Sequence, residues 1–372
     1  MQKNYTSLGL MSGTSGDGVD ASLVKSNGID KFQTIKDKYF QYDSSIYEGI
    51  HNLKEKIYSF KDLNKYQKEI NELARKITIF HAKIIDEFKL SDNDTLVGFH
   101  GQTIYHNADE KISLQLGDGR LLNQLTKKKI IFDFRKKDIL NGGNGAPITP
   151  IFHQLIVTQK KIKLPVCIFN IGGISNATII KEPIGSLKIF SKDLGPGNCL
   201  IDNWIRKNSN HKFDNKGLIA SRGQTNEIIL EQAQELYNNR IDKDKVSFDT
   251  NDFDISFARG LSLQDGAATL TEFTASILGE NLSIFFEKNS KVEEILVCGG
   301  GRKNESLLMS LSKKIPKRVN IKQIDKYEID GDFIESQAFA FLAIRSYKNL
   351  PISFPTTTGC HSPTVGGEII EN

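Results

Sequence analysis

GLMSGTSGDGVDASLV, residues 9–24, sets one short apolar run against another across a glycine-rich link. Residues 8–11 and 19–25 are strand formers, and SGTSGDG between them has the composition of a tight connection. The spacing therefore predicts a β-hairpin, with a further strand near residues 32–40. Three later turns share this composition, and each follows an apolar strand: GGISN (172–176) after CIFNI, LGPGN (194–198) after IFSKD, and GGGRKN (299–304) after ILVC. Glycine lets a backbone approach a ligand and present successive amides, and a helix N-terminus adds partial positive charge, which together make anion sites. One such turn is as readily a plain strand connection; four of them suit a polyanion such as a triphosphate. No GxxxxGK[ST] occurs, and no GxGxxG lies directly between strand and helix, so P-loop and Rossmann readings lose ground.

Around these turns the chain has 372 residues, more than one core usually holds, and two packed units are the expectation. With 38% hydrophobic and 25% charged residues the composition is that of an ordinary globular protein. The net charge of +4 is dispersed, and even the longest basic runs are short, such as Lys127 to Lys129, which argues against nucleic-acid binding. No run of about 18 apolar residues occurs, and MQKNYTSLGL lacks the pattern of a signal peptide. A cytoplasmic protein with no membrane partner is expected. Cys167, Cys199, Cys298 and Cys360 are far apart and have no CxxC or nearby histidine, so they read as small, mostly buried thiols rather than as zinc ligands.

Tyr66, Ile70, Leu73, Ile77, Phe80 and Ile84 recur with a helical period, predicting one long amphipathic helix over residues 62–88, straight or kinked. TLVGF, SLQL and IIFDF read as strands, as do VCIFNI, ATII, EEILVC and VNIKQI in the second half. Between them, helices are expected over 150–158, from 197 or 198 to 207, and over 227–238, 265–288, 304–314 and 332–347. Such alternation implies a parallel component. Both halves also begin with hairpin-like strands joined by glycine turns, a weak echo that suits a duplicated lobe.

Taken together, GLMSGTSGDGVDASLV, GFHGQTIYH, LQLGDGRLL, FDFRKKDILNGGNGAPITPIFH, FNIGGISN, KDLGPGNCLIDNWI, LVCGGGRKN and FIESQAFAFLA resemble the anhydro-N-acetylmuramic acid kinase family in order and spacing over nearly the whole chain. That family lies in the actin/sugar-kinase/chaperone ATPase superfamily. The resemblance implies an α/β, two-lobed, actin-like ATPase (ribonuclease H-like) fold, with mixed sheets flanked by helices and an interdomain cleft. It assigns residues 1–127 to an N-terminal lobe completed by the tail from about 349 to 372, and residues 128–348 to a C-terminal lobe. The activity implied is that of a kinase using ATP and Mg2+, working as a homodimer, which opens 1,6-anhydro-N-acetylmuramic acid with water and phosphorylates it to N-acetylmuramic acid 6-phosphate in cell-wall recycling. Two rival functions share the fold: a phosphotransferase for another sugar or small molecule, and a non-catalytic ATP-binding regulator. Asp193 and the absence of a basic arm before the first strand disfavour the regulator.

The resemblance also assigns residues. Asp193 falls where the family has its catalytic aspartate, and a positioned carboxylate can accept the proton of a water attacking the anomeric carbon; its other reading is a turn or helix cap. ATP is assigned to Ser12, Gly13, Thr14, Ser15, Gly16, Asp17 and Gly18, to Gly172, Gly173, Gly195, Gly197 and Asn198, and to Gly299, Gly300, Gly301 and Asn304. Asp17 orients magnesium through water or stabilises its own turn. Arg135 matches a position facing the sugar's lactyl carboxylate, which suits a planar fork of donors; Arg120 is second choice. His100 and Gln102, just after an apolar strand, meet sugar hydroxyls, the alternative for His100 being a structural role. Glu335 matches a substrate-contacting glutamate or serves as a dipole partner in a first helical turn. Two positions depart from the family pattern. Gly16 stands where a bulkier methionine or leucine is usual, which loosens the expected phosphate grip, and Leu194 replaces a threonine beside Asp193.

Overall fold

The computed structural model describes residues 3–90, 94–240, 246–289 and 291–371. Among them the strands are β1 (Tyr5–Ser12), β2 (Gly18–Ser26), β3 (Phe32–Gln41), β4 (Leu96–Asn107), β5 (Ile112–Leu116), β6 (Lys129–Phe132), β7 (Val166–Ile171), β8 (Ile174–Ile180), β9 (Ile189–Pro196), β10 (Glu294–Cys298), β11 (Asn320–Gln323) and β12 (Glu368–Ile370). One sheet runs β12-β6-β4-β1-β2-β3, with β5 added to β4; the other runs β11-β10-β7-β8-β9. In the first, β1, β2 and β3 are antiparallel neighbours, while β4 lies parallel to β1 and β6 parallel to β4. In the second, β7 is antiparallel to β8 and parallel to β10, which is parallel to β11. The two sheets thus repeat one plan, a hairpin on one side of the first strand and crossover strands on the other. This is the physical content of the echo between the halves.

The chain divides into two compact units, one of Met1–Ile162, Glu182–Phe190 and Asp332–Asn372, the other of Lys163–Lys181 and Ser191–Gly331. The change of unit therefore falls after Ile162 rather than after residue 127. The reason is that Ile130 and Ile131 of β6 are fully buried in the first sheet, where β6 hydrogen-bonds to β4. The second unit likewise ends at Gly331 rather than at residue 348. The helix Ile334–Tyr347 has an apolar centre (Ala338–Ile344), is buried on nearly every face, and packs on β1, β2 and β4 of the first unit. Gly9 and Gly98 make that approach possible, since a Cβ on them would lie 2.0 Å from Ser336 O and 2.4 Å from Phe339 O.

The long helical period is realised as two helices, Phe60–Lys65 and Gln67–Glu87, because Tyr66 (φ −102°, ψ 18°) leaves helical geometry between them. Its apolar face joins the core of the first unit with Ile70, Leu73, Ile77 and Ile84. Two elements depart further from the sequence reading. A helix at Ser44–Lys54, capped by Asp43, follows β3, and β4 continues through the GFHGQTIYH segment instead of ending at Phe99. No helix of the described residues is long and apolar enough to cross a membrane.

Candidate active site

In the first unit the SGTSGDG turn is held from several sides. Gly16, with φ +65°, closes it by donating its N–H to Gly13 O at 3.1 Å. Gln102 Nε2 donates to Gly13 O (2.9 Å), Ser12 Oγ and Tyr42 OH share a hydrogen bond (2.7 Å), and Tyr42 N–H donates to Asp17 O (2.9 Å). Glycine at position 16 therefore coincides with a tethered turn, not a loosened one. Ser15 Oγ donates to the Asp17 carboxylate, and the Tyr39 hydroxyl also bonds to Asp17; burial first, then that carboxylate, push the phenol above its ordinary range. A half-buried carboxylate on a turn of backbone amides fits magnesium, a hard cation that retains much of its water and takes few protein oxygens.

His100 and Gln102 lie within β4, not after it. Leu10 faces Phe99 while Met11 faces Gly101, so His100 is the extra residue of a β-bulge, a device that re-aims a side chain. It directs His100 against Arg135. A guanidinium only donates, so Arg135 Nη2 donates to His100 Nε2 (3.1 Å); the ring proton then lies on Nδ1, which donates to Gly101 O (2.8 Å). Burial, reinforced by the Arg135 charge, holds the His100 pKa well below its usual value, and the ring is neutral. Arg135 Nη1 donates to Gly145 O (2.8 Å). Gln102 is fully buried, and its Oε1 has no hydrogen-bond partner among the described residues.

Two residues that the sequence reading missed support this group. Phe339 packs on the His100 ring with centroids 4.5 Å apart. Because positions i and i+4 share a helix face, Glu335 lies on the face of Ile334–Tyr347 that Phe339 presents to His100. Asp138, fully buried, accepts from Gly145 N–H (2.8 Å), Thr358 Oγ1 (2.7 Å) and Ser353 Oγ, and so fixes the loop whose carbonyl holds Arg135. An acid set between Arg135 and the apolar pair Ile139–Leu140, just before GGNG, was the available signal. Arg120 is an exposed surface residue paired with Glu368 (3.3 Å).

In the second unit Asp193 is 5% exposed and lies inside β9 rather than at its end. Its N–H donates to Val246 O, and its Oδ2 accepts from Phe248 N–H at 3.0 Å, which sets the carboxylate plane. Three of the four glycine turns meet here. Gly197 and Cys199 N–H groups donate to Gly173 O (2.8 and 3.2 Å), and Asn198 N–H donates to Gly172 O (2.8 Å). Gly301 packs on Ile171 and Asn198, whereas Gly300 faces open space. Gly195 continues β9 with φ +141°, and Gly299 N–H donates to Gly331 O (2.9 Å).

Asn304 has a helix-capping role, its Oδ1 accepting from Leu307 N–H (3.0 Å) at the start of Glu305–Lys314. Leu194, in the threonine's place, is buried, with its carbonyl accepting from Asn281 Nδ2 (2.6 Å). Burial pushes the Cys199 thiol up to about 12, which leaves it without nucleophilic character. Arg302, also missed, is a buried guanidinium forked on the Asp325 carboxylate (2.9 and 3.0 Å), and it fixes the third turn from behind.

Two mixed sheets of one strand plan, each with a glycine turn after its first strand, give the fold of the actin/sugar-kinase class. A family model described as anhydro-N-acetylmuramic acid kinase matches residues 5–372. The chain is 53% identical to a protein of that name from Pelagibacter ubique (strain HTCC1062), over 100% of both chains. It is 35% identical to one from Zymomonas mobilis, covering 97% of this chain and 98% of the relative, and 34% identical to one from Rhizobium etli, covering 97% of each. The chain belongs to the anhydro-N-acetylmuramic acid kinase family.

Proposed function

We propose that the protein uses ATP to open 1,6-anhydro-N-acetylmuramic acid with water and to phosphorylate it, yielding N-acetylmuramic acid 6-phosphate in cytoplasmic cell-wall recycling. The observation that carries this reading is the buried Asp193 carboxylate, oriented by Phe248 N–H and followed directly by the turn bonded to Gly172 and Gly173. Asp193 accepts a proton from water as the water oxygen bonds to the anomeric carbon. The bond from that carbon to the 6-oxygen breaks, and the 6-oxygen attacks the γ-phosphorus as ADP leaves. Amides of Ser12–Gly18 and of Gly172–Gly173 stabilise phosphate charge, and the 195–198 turn braces the latter pair through its N–H bonds to Gly172 O and Gly173 O. Gly299, Gly300 and Gly301 border the nucleoside.

Magnesium, when bound, neutralises phosphate charge, and Asp17 is the residue that would hold it through water. Arg135 binds the lactyl carboxylate. Neutral His100, with its Nε2 already accepting from Arg135, orients that guanidinium rather than binding a hydroxyl itself. Gln102 Oε1 accepts from a sugar hydroxyl, and Glu335 makes a further polar contact. Incubation with ATP, magnesium and the anhydrosugar, read by mass spectrometry, tests the reading. The product should exceed the substrate by one water and one phosphoryl group, with ADP formed one for one. A product gaining only the phosphoryl group, or ADP appearing without sugar product, would overturn it.

A further inference from the structure

The segment after β3 grips the first glycine turn along its length. Tyr42 bonds its foot through Asp17 O and Ser12 Oγ, and Asp43 then caps the helix Ser44–Lys54 by accepting from Ile46 N–H (3.0 Å). Ile50, fully buried, fills the space beside Gly16, where a Cβ would lie 2.9 Å from Ile50 Cγ2. Lys54 is four residues on and shares that helix face. Its Nζ donates to Thr14 O at 2.6 Å, which puts a cation at the tip of the turn. The unusual glycine and the lysine belong together: a bulky residue at 16 would collide with Ile50 and displace the helix that delivers Lys54.

We propose that Lys54 is a further phosphate-binding residue of this enzyme, held at the turn by Thr14 O and contacting the terminal phosphate of the nucleotide. The proposal rests on the reading of Ser12–Gly18 as a phosphate turn. Backbone amides supply only partial charges, whereas the γ-phosphate is the most highly charged part of ATP and accepts charge-assisted hydrogen bonds. An ammonium carries three donors, so bonding Thr14 O and a phosphate oxygen are compatible. Lys54 is thereby a discriminator of ATP from ADP.

Calorimetry of the full chain with magnesium and ATP or ADP tests this in Lys54→Gln, Lys54→Arg and Ser15→Glu. Lys54→Gln keeps a donor but loses the charge. It should weaken ATP binding about tenfold and ADP binding less than about twofold, with the sugar KM unchanged and Lys54→Arg largely restoring ATP affinity. Equal weakening of both nucleotides would make Lys54 a prop of the turn and overturn the proposal, as would no weakening of either. Ser15→Glu adds a negative charge on the exposed rim of the same turn. If it weakens both nucleotides while Lys54→Gln weakens neither, the role of Lys54 alone fails. If Ser15→Glu leaves both affinities intact, the phosphate turn itself is misassigned.

Discussion

Asparagine at position 193 separates basicity from shape. Phe248 N–H donates to Asp193 Oδ2 at 3.0 Å, and an asparagine carbonyl oxygen can accept the same bond. That bond changes from charge-assisted, worth about 1.5–3 kcal/mol, to neutral, worth about 0.5–1.5 kcal/mol, so the fold should lose about 1 kcal/mol. For a chain of this size the midpoint of thermal unfolding then moves by a few degrees at most. The reaction loses its base, which costs about two to four orders of magnitude in rate, or about 3–5 kcal/mol in barrier. The two outcomes are far apart, and one variant reads both. Sugar-dependent ADP release in single turnover measures the chemical step, calorimetry measures ATP affinity, and thermal unfolding measures the cap. The expected pattern is a collapse in rate with nearly unchanged ATP binding and melting. If Asp193→Asn turned over within a few-fold of the parent while melting lower, Asp193 would be a structural anchor for Phe248, and Glu335 would be the next base to test.

Arg135→Lys keeps the charge but loses the fork that bonds His100 and Gly145 together, so the sugar KM should rise by about tenfold while the ATP KM holds; a change confined to ATP would take Arg135 out of the sugar site. His81 is fully buried and held at about 4, so the folded chain keeps it neutral while the unfolded chain protonates it below its ordinary 6.5. Its contribution is complete above pH 6.5 and is lost as pH falls toward 4, by about 3 kcal/mol in all. Urea unfolding of His81→Leu should accordingly show a pH slope flatter by up to one proton in that window, and an unchanged slope would contradict the burial argument. Asp138→Ala leaves Gly145 N–H, Ser353 and Thr358 without their shared acceptor and should destabilise by about 3 kcal/mol or more in urea; a loss under about 1 kcal/mol would mean that the loop is held by other bonds.

The hairpin of β1 and β2, the glycine turns and the alternation of the second half were legible because their signals are local: strand formers, glycine spacing and apolar period lie within a few residues of one another. The course of β4 was hidden for an equally local reason. The His100–Gly101 bulge places a polar residue and a glycine inside a strand, and that composition imitates a loop. Unit boundaries were hidden because they depend on long-range return. Nothing within residues 334–347 says which sheet will cover a helix buried on nearly every face, and Gly9 and Gly98, which receive it, lie more than two hundred residues away. The candidate site divides in the same way. Asp193, Arg135 and the turns stand out as polar or glycine positions beside apolar runs, whereas Lys54 and Asp138 acquire their roles only when a distant carbonyl or hydroxyl arrives.

The first unit is assembled from three separate stretches of chain, and this sets the order in which a ribosome can complete the protein. Domains generally fold as they emerge. The second unit needs nothing beyond Gly331, so its sheet can close while the remainder is still being made. The first sheet cannot. Through that interval β1 and β4 lack the helix that covers Gly9 and Gly98, and β6 lacks its neighbour β12. An apolar face and an open strand edge therefore stay exposed to whatever else is in the tunnel's vicinity until residues 332–372 appear. The half begun first is finished last, and translation speed past Gly331 governs how long the nascent chain stays vulnerable to aggregation.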